Sequence, residues 1–351
     1  MSGFRFIVSL IWEGVIMATQ SVKFEGWPHV VRSQQFSRDW LERVFFPLSD
    51  KMEKIHPAQR RNLLLGREMI SMFVAESTRT RASFEIAMRR LGGEVIFHSE
   101  AGAKFSGMAK GESLEDTILV LNEYGADVIV LRQAEEGGAE RAAAISSVPI
   151  INAGDGPGQH PTQALLDLYT IRKHMGRIDG LQIALIGDVE GSRTIHSLAF
   201  ILGRFSGVTI HFVALDHQKV KPEILESLRK HGVEYTESRD IRAIASKVDV
   251  FYQTRTQVNL GTKPCDRTDE AHGFTVINGE VRRRAKPAAI FMHPLPCNEE
   301  IVRAEVDSDP RAVYIQTKDG RISQVRCGYT IKLALLVLVM EPKLAVKLLK
   351  L

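Results

Sequence analysis

Five consecutive residues, Ser77-Thr78-Arg79-Thr80-Arg81, carry three hydroxyls and two guanidiniums. They follow an apolar run at 69–74 and precede a stretch in which Phe84, Ala87, Met88 and Leu91 recur at helical spacing until Gly92-Gly93 stops it. That order predicts a strand, a loop and a helix start, where unpaired amide N–H groups and the positive end of the helix dipole attract an anion. Arginine adds a fork that matches phosphate oxygens. A capping box, with Ser77 or Thr78 as N-cap and the arginines solvated, is the bland alternative. Two arginines flanked by hydroxyls favour anion binding.

A second group lies at Asn152-Ala153-Gly154-Asp155-Gly156-Pro157-Gly158-Gln159-His160-Pro161-Thr162-Gln163. An expected strand ends, a glycine-rich loop follows, and Pro161 opens a helix reaching Met175. In an open α/β sheet ligands bind at the carboxyl ends of strands, where this loop would lie. His160 could then meet a substrate carbonyl and Gln163 an amide. A well-made turn with a capping histidine fits as well, and both readings stay open. Arg132 emerges at the same edge, after an expected strand at 127–131.

In the second half, Gly187-Asp188-Val189-Glu190-Gly191-Ser192-Arg193 sits between a strand and a helix. Its spacing is wrong for a dinucleotide fingerprint, and Asp188 and Glu190 would repel a pyrophosphate. Arg193 and Arg255 instead lie just past separate strand ends, placed to grip a dicarboxylate. Solvated arginines are the alternative. His293-Pro294-Leu295-Pro296 closes another strand in a turn stiffened by proline.

These groups need a scaffold, and the chain supplies one. Short apolar runs at 69–74, 94–97, 127–131, 148–152, 182–186, 208–213, 248–253 and 289–292 alternate with longer amphipathic stretches, the pattern of βα units. The expectation is an α/β protein of two Rossmann-like domains with parallel sheets, joined by inter-domain helices. The boundaries expected are an N-terminal extension at 1–20, a first domain at 21–160, an inter-domain helix at 161–176, a second domain at 177–327 and a C-terminal helix at 328–351 packing on the first. The apolar stretch 331–349 carries Pro342 as a kink or break.

With 351 residues there is room for two cores. Hydrophobic residues at 44% and charged ones at 25% suit a globular enzyme, and the net charge of +4 suits anionic substrates. Lys and Arg are interleaved with Asp and Glu, which argues against nucleic acid. Cys265, Cys297 and Cys327 are too few and too scattered for a disulfide framework or a zinc site, and a reducing, cytoplasmic setting is expected. Residues 4–17 are apolar but broken by Arg5 and Glu13, which leaves no membrane span of about 20 residues. No small-residue cleavage site follows, so they read as an upstream extension with Met17 as the initiator.

Together the motifs resemble the aspartate/ornithine carbamoyltransferase family, on its aspartate branch, from about Gln35 to about Leu344. Ser77 to Arg81, continuing through Ser83-Phe84-Glu85, matches its phosphate signature, and His160 to Gln163 its His-Pro-Thr-Gln motif. Arg193, Arg255 with Gln257, and His293 to Pro296 match the amine side. The resemblance implies carbamoyl phosphate held by Ser77, Thr78, Arg79, Thr80, Arg132, His160, Gln163, Leu295 and Pro296. It implies aspartate held by Arg193, Arg255, Gln257, Pro294 and Leu295, with catalytic roles for Arg79, Thr80, Lys110, Arg132 and His160. Ser106 and Lys110 match a loop that reaches a neighbouring subunit's site, which implies a homotrimer with shared active sites. Lys110 would serve both substrates. No metal or organic cofactor is implied, and a regulatory chain is left open.

The ornithine branch normally carries Cys where this chain has Pro294, and lacks the arginine pair. Three departures remain. Ala75 stands where a glutamate is usual, with Glu76 beside the serine; Cys297 stands where an arginine is usual; and Val313-Tyr314-Ile315-Gln316-Thr317 lacks the usual wording. They imply altered domain closure or aspartate affinity, or a non-catalytic relative.

Overall fold

The computed structural model describes residues 29–99, 111–255, 274–315, 317 and 319–350. The expected extension at 1–20, the loop with Ser106 and Lys110, and Gln257 lie outside them.

Among the described residues, nine strands form two sheets. β1 (Glu68–Phe73), β2 (Glu94–Ser99), β3 (Val128–Gln133) and β4 (Ile150–Asp155) stand in the order β2-β1-β3-β4. β5 (Gln182–Ile186), β6 (Thr209–Val213), β7 (Glu234–Ser238), β8 (Val250–Gln253) and β9 (Ile290–Met292) stand in the order β7-β6-β5-β8-β9. Every pair within the sheets is parallel, the α/β class expected. Parallel sheets are covered on both faces, so their inner strands read as continuous apolar runs. β4 is buried along its whole length, and β1 and β3 almost so.

The longer helices are α1 (Phe46–Lys54), α2 (Thr78–Arg90), α3 (Leu114–Glu123), α4 (Gly138–Ile145), α5 (Pro161–Met175), α6 (Arg193–Leu202), α7 (Pro222–Lys230), α8 (Gln324–Met340) and α9 (Pro342–Lys350). In α2, Phe84, Ala87 and Met88 form the buried stripe that packs on β1 and β2. Truncating a fully buried phenylalanine such as Phe84 costs about 3 to 5 kcal/mol, so this stripe fixes where the start of α2 points.

Contacts divide the chain into two compact units. One runs to Leu165 and resumes at Gly328; the other is Leu166–Cys327. The division therefore falls inside α5 and inside α8. Within the first unit α9 packs on α1, and Arg67 joins Asp127 to Glu341. Among the described residues no helix is long and apolar enough to cross a membrane.

Three details refine the sequence-based expectation. Helix α2 begins at Thr78, because the Ser77 carbonyl already accepts the Arg81 amide. Of the kink or break expected at Pro342, the break is what forms: Pro342 lacks an N–H and opens α9 as a second helix. Strand β7, Glu-Tyr-Thr-Glu-Ser, has no apolar run at all; it is an edge strand whose glutamates face solvent, the usual defence of an open edge.

The strand orders locate the ligand crevices. The first sheet grows from β1 toward β2 on one side and toward β3 and β4 on the other, so its switch point lies at the carboxyl ends of β1 and β3. In the second sheet the same reversal falls at β5 and β8. Open α/β sheets bind ligands at these points.

Candidate active site

In the first unit, the loop after β1 brings Ser77 to the N-cap of α2 with extended backbone and no side-chain capping bond. The capping-box alternative is therefore not what forms. Thr78 and Arg79 are exposed in the first turn, and Thr80 is half-buried behind them. Arg81 has a different job. Its Nε donates to Glu85 at 2.9 Å, and the Ser71 hydroxyl of β1 donates to the same carboxylate at 3.1 Å. Arg81 pins the helix to the strand, and Arg79 is the exposed guanidinium of the turn. Ala75 is half-buried and Glu76 exposed.

The neighbouring loops are stitched to this one by backbone. The Arg132 carbonyl accepts the amides of Val74 at 3.0 Å and Ala75 at 3.3 Å. The Arg132 guanidinium donates to the Ala153 carbonyl at 3.0 Å, which holds it along the β3–β4 edge. Gly156 donates to the Gln133 carbonyl at 3.0 Å with φ of 47°, and a Cβ there would sit 2.2 Å from the Ala134 carbonyl oxygen. Only glycine allows that approach.

Asp155 ties the rest of the loop, accepting the amides of Gln159 at 2.6 Å and Gly137 at 3.2 Å. Burial raises its pKa, and those two amides offset only part of the rise. His160, 5% exposed, leads into α5 with Nδ1 3.2 Å from the Thr162 hydroxyl, and its carbonyl accepts the Gln163 and Ala164 amides. The fold thus brings Ser77, Thr78, Arg79, Thr80, Arg132, His160 and Gln163 onto the carboxyl edge of one sheet. An array of first-turn amides, hydroxyls and arginines there can hold a phosphate, and the same donors can steady a developing oxyanion.

In the second unit, Gly187 has φ of 116°, and a Cβ would lie 2.6 Å from the Thr254 hydroxyl. That close approach lets Thr254 donate to the Ile186 carbonyl at 2.8 Å and Asp188 to the Arg255 carbonyl at 3.4 Å, joining the loops after β5 and β8. Arg193 opens α6 from one loop and exposed Arg255 ends the other. Burial raises the pKa of Asp188, against the Gly191 amide, which donates to it at 2.8 Å.

The turn after β9 is built differently. Leu295 has φ of 60°, a left-handed backbone that costs a non-glycine residue about 1 to 3 kcal/mol. Its amide donates to His293 Nδ1 at 2.8 Å, and the Leu295–Pro296 peptide is cis. With Nδ1 accepting, the proton of His293 sits on Nε2 and is donated to Glu300 at 2.9 Å. Both side chains are buried, at 1% and 5%. Burial pushes the Glu300 pKa up, but the His293 and backbone hydrogen bonds outweigh it and hold the carboxyl below its usual range.

Behind the turn, Gln324 accepts the His293 amide at 2.9 Å and donates to Asp167 at 2.7 Å; Asp167 also accepts the Tyr252 hydroxyl at 2.7 Å. These four residues are all buried. Pattern reading missed Asp167, Tyr252, Gln324 and Glu300, which are far apart in sequence. At the start of the departing segment, Val313 donates to the Phe291 carbonyl of β9 at 3.0 Å and Tyr314 donates to Asp307. Cys297 closes the turn, its thiol pushed up to about 11 by burial and by Glu300. His293, Cys297 and Glu300 offer donor atoms all within 4.8 Å of one another. The spacing His-x3-Cys-x2-Glu was the available signal, and searching by cysteine pairs overlooks it.

Comparison with known proteins agrees with both halves. The family model for the aspartate/ornithine carbamoyltransferase carbamoyl-P binding domain matches residues 28–173, and that for the Asp/Orn binding domain matches 179–338. The chloroplastic aspartate carbamoyltransferase of Arabidopsis thaliana is 44% identical over 312 residues, 89% of this chain and 77% of that protein. The catalytic subunit from Methanopyrus kandleri is 40% identical over 311 residues, 89% of this chain and 96% of the relative. Among solved structures, the catalytic subunit of M. jannaschii aspartate transcarbamoylase superposes with a TM-score of 0.78 at 38% identity, over 90% of this chain and 98% of that one. The Trypanosoma cruzi enzyme in complex with carbamoyl phosphate and aspartate gives 0.75 at 36% identity, over 88% and 95%. With both domain models matched in order and strand-end motifs in each sheet, the chain belongs to the aspartate/ornithine carbamoyltransferase family.

Proposed function

We propose that the chain transfers the carbamoyl group of carbamoyl phosphate to the amino group of L-aspartate, giving N-carbamoyl-L-aspartate and phosphate for pyrimidine biosynthesis. The observation that carries this reading is the first turn of α2, where an uncapped start, Thr78, Arg79 and Thr80 make a phosphate cradle beside Arg132.

The chemistry follows from the charges. The aspartate amine attacks the carbamoyl carbon, its carbonyl oxygen gains negative charge, and phosphate departs. Thr80, Arg132 and His160 stabilise that oxygen; Ser77, Thr78, Arg79 and Lys110 offset charge on the leaving group, and Gln163 holds the carbamoyl amide. Arg193, Arg255 and Gln257 grip the two aspartate carboxylates, and the backbone of Pro294 and Leu295 accepts the amine's hydrogens. His293 positions that backbone rather than touching substrate. Pre-ordering of two bound anions supplies much of the remaining acceleration.

The same reading makes the enzyme a cytoplasmic homotrimer in which Ser106 and Lys110 complete a neighbour's site. Apolar side chains exposed in the first unit, including Ile96 of β2, Ile86 of α2 and Leu119 of α3, support an interface there. Purified protein given carbamoyl phosphate with L-aspartate or L-ornithine in parallel tests the reaction. Product with aspartate alone is expected; product with ornithine alone would reassign the chain to the other branch, and product with neither would leave a non-catalytic relative.

A further inference from the structure

We infer that His293, Cys297 and Glu300 form a binding site for a thiophilic divalent cation of the zinc class, and that filling it switches off the turn carrying Leu295. Three residues of the loop after β9 contribute one imidazole, one thiol and one carboxylate, with donor atoms all within 4.8 Å of one another. Zinc ligands bound at about 2.0 to 2.3 Å lie roughly 3.5 Å apart, so closure needs only a small shift of the donors. Cys297 can make it: it is half-exposed, and its thiol reaches only a long 3.8 Å contact to the Asn298 carbonyl, beside the Ile301 amide that faces its sulfur. The same exposure gives a cation a way in and leaves a fourth position for water.

Donor chemistry sets the class of ion. Magnesium and calcium want oxygen ligands, while a thiolate with an imidazole selects zinc and its soft congeners. The cation displaces two protons: that of the Cys297 thiol passes to solvent, and that of His293 moves from Nε2 to Nδ1. It also takes the place of the hydrogen bond that now runs from Nε2 to Glu300.

The consequence lies on the other side of the ring. A neutral imidazole bound to metal through Nε2 carries its remaining proton on Nδ1. Here Nδ1 accepts the Leu295 amide at 2.8 Å. Metal binding sets two donors against each other, so that bond breaks, and Leu295 loses the contact that holds it at φ of 60°. Leu295 and Pro294 are the amine-side backbone in the proposed reaction, and the inhibitory half of the inference rests on that reading.

Cobalt(II) titration of the full-length protein tests the site without reference to activity. A thiolate-to-cobalt charge-transfer band at one equivalent, absent in Cys297→Ala, is expected. A missing band, or one that survives in Cys297→Ala, overturns the site. In parallel, Zn2+ is expected to lower the transfer rate of the wild type by about tenfold, the worth of one positioning hydrogen bond, with recovery on chelation. Cys297→Ala is expected to match the metal-free wild type and to ignore Zn2+. A band with unchanged transfer overturns the switch. Absence of transfer in metal-free wild type counts against the proposed reaction instead, and the cobalt band still judges the site.

Discussion

In the first unit the strand-end loops hold each other by backbone: Val74 and Ala75 donate to Arg132, and Gly156 to Gln133. The second unit uses the same device for its first two loops, with Thr254 donating to Ile186 and Asp188 to Arg255. Its third loop, after β9, hangs instead on buried side chains, from Asp167 through Gln324 to His293 and on to Glu300. Backbone stitching needs glycines at fixed places and leaves a local signature. A side-chain relay needs partners up to 157 residues apart and leaves none.

This difference can be broken in order of expected effect. Removing Arg132, which serves the reacting oxygen, should lower kcat by about 10²- to 10³-fold with the fold intact, read by steady-state kinetics and circular dichroism. Asp167→Ala would strand the Tyr252 hydroxyl and the Gln324 amide in a fully buried place. It should cost about 3 kcal/mol in urea unfolding and raise the aspartate KM with it, because the β9 turn loses its support. Gly156→Ala, the matching lesion of a backbone-held loop, should cost about 2 kcal/mol and weaken carbamoyl phosphate binding instead. If both lesions affect the same substrate, the two units do not work as separate holders.

The smallest effect concerns pH. Burial lowers the His29 pKa to about 4, and its Nδ1 accepts the Ile150 amide at 3.0 Å, a bond only the neutral ring can make. Between the unfolded pKa near 6.5 and the folded value near 4, the unfolded chain binds the extra proton. Stability is therefore complete above pH 6.5 and is lost as pH falls, by about 2 kcal/mol at pH 5. Thermal melts from pH 7.5 to 5 should show this slope, and His29→Gln should flatten it.

Much of the fold was legible because parallel strands announce themselves as apolar runs and Pro161 marks a helix start. β7 was not, since an edge strand guarded by Glu234 and Glu237 has no such run. At the site, the Ser77 to Arg81 signature pointed to an anion but could not divide the labour between its arginines. The contact of Arg81 with Glu85, which Ser71 also meets, shows Arg81 bracing the helix while Arg79 is the exposed one of the two. Likewise His293 reads as one more strand-end histidine until its partners, Leu295 and Glu300, are seen on either side of the ring.

The division of substrates between units is tested most directly by initial rates with both substrates varied, for wild type, Arg79→Ala and Arg255→Ala. Arg79→Ala should weaken carbamoyl phosphate, and Arg255→Ala should lower kcat/KM for aspartate about 10²-fold while leaving carbamoyl phosphate affinity within about twofold. Both variants shifting the constant for the same substrate would contradict it.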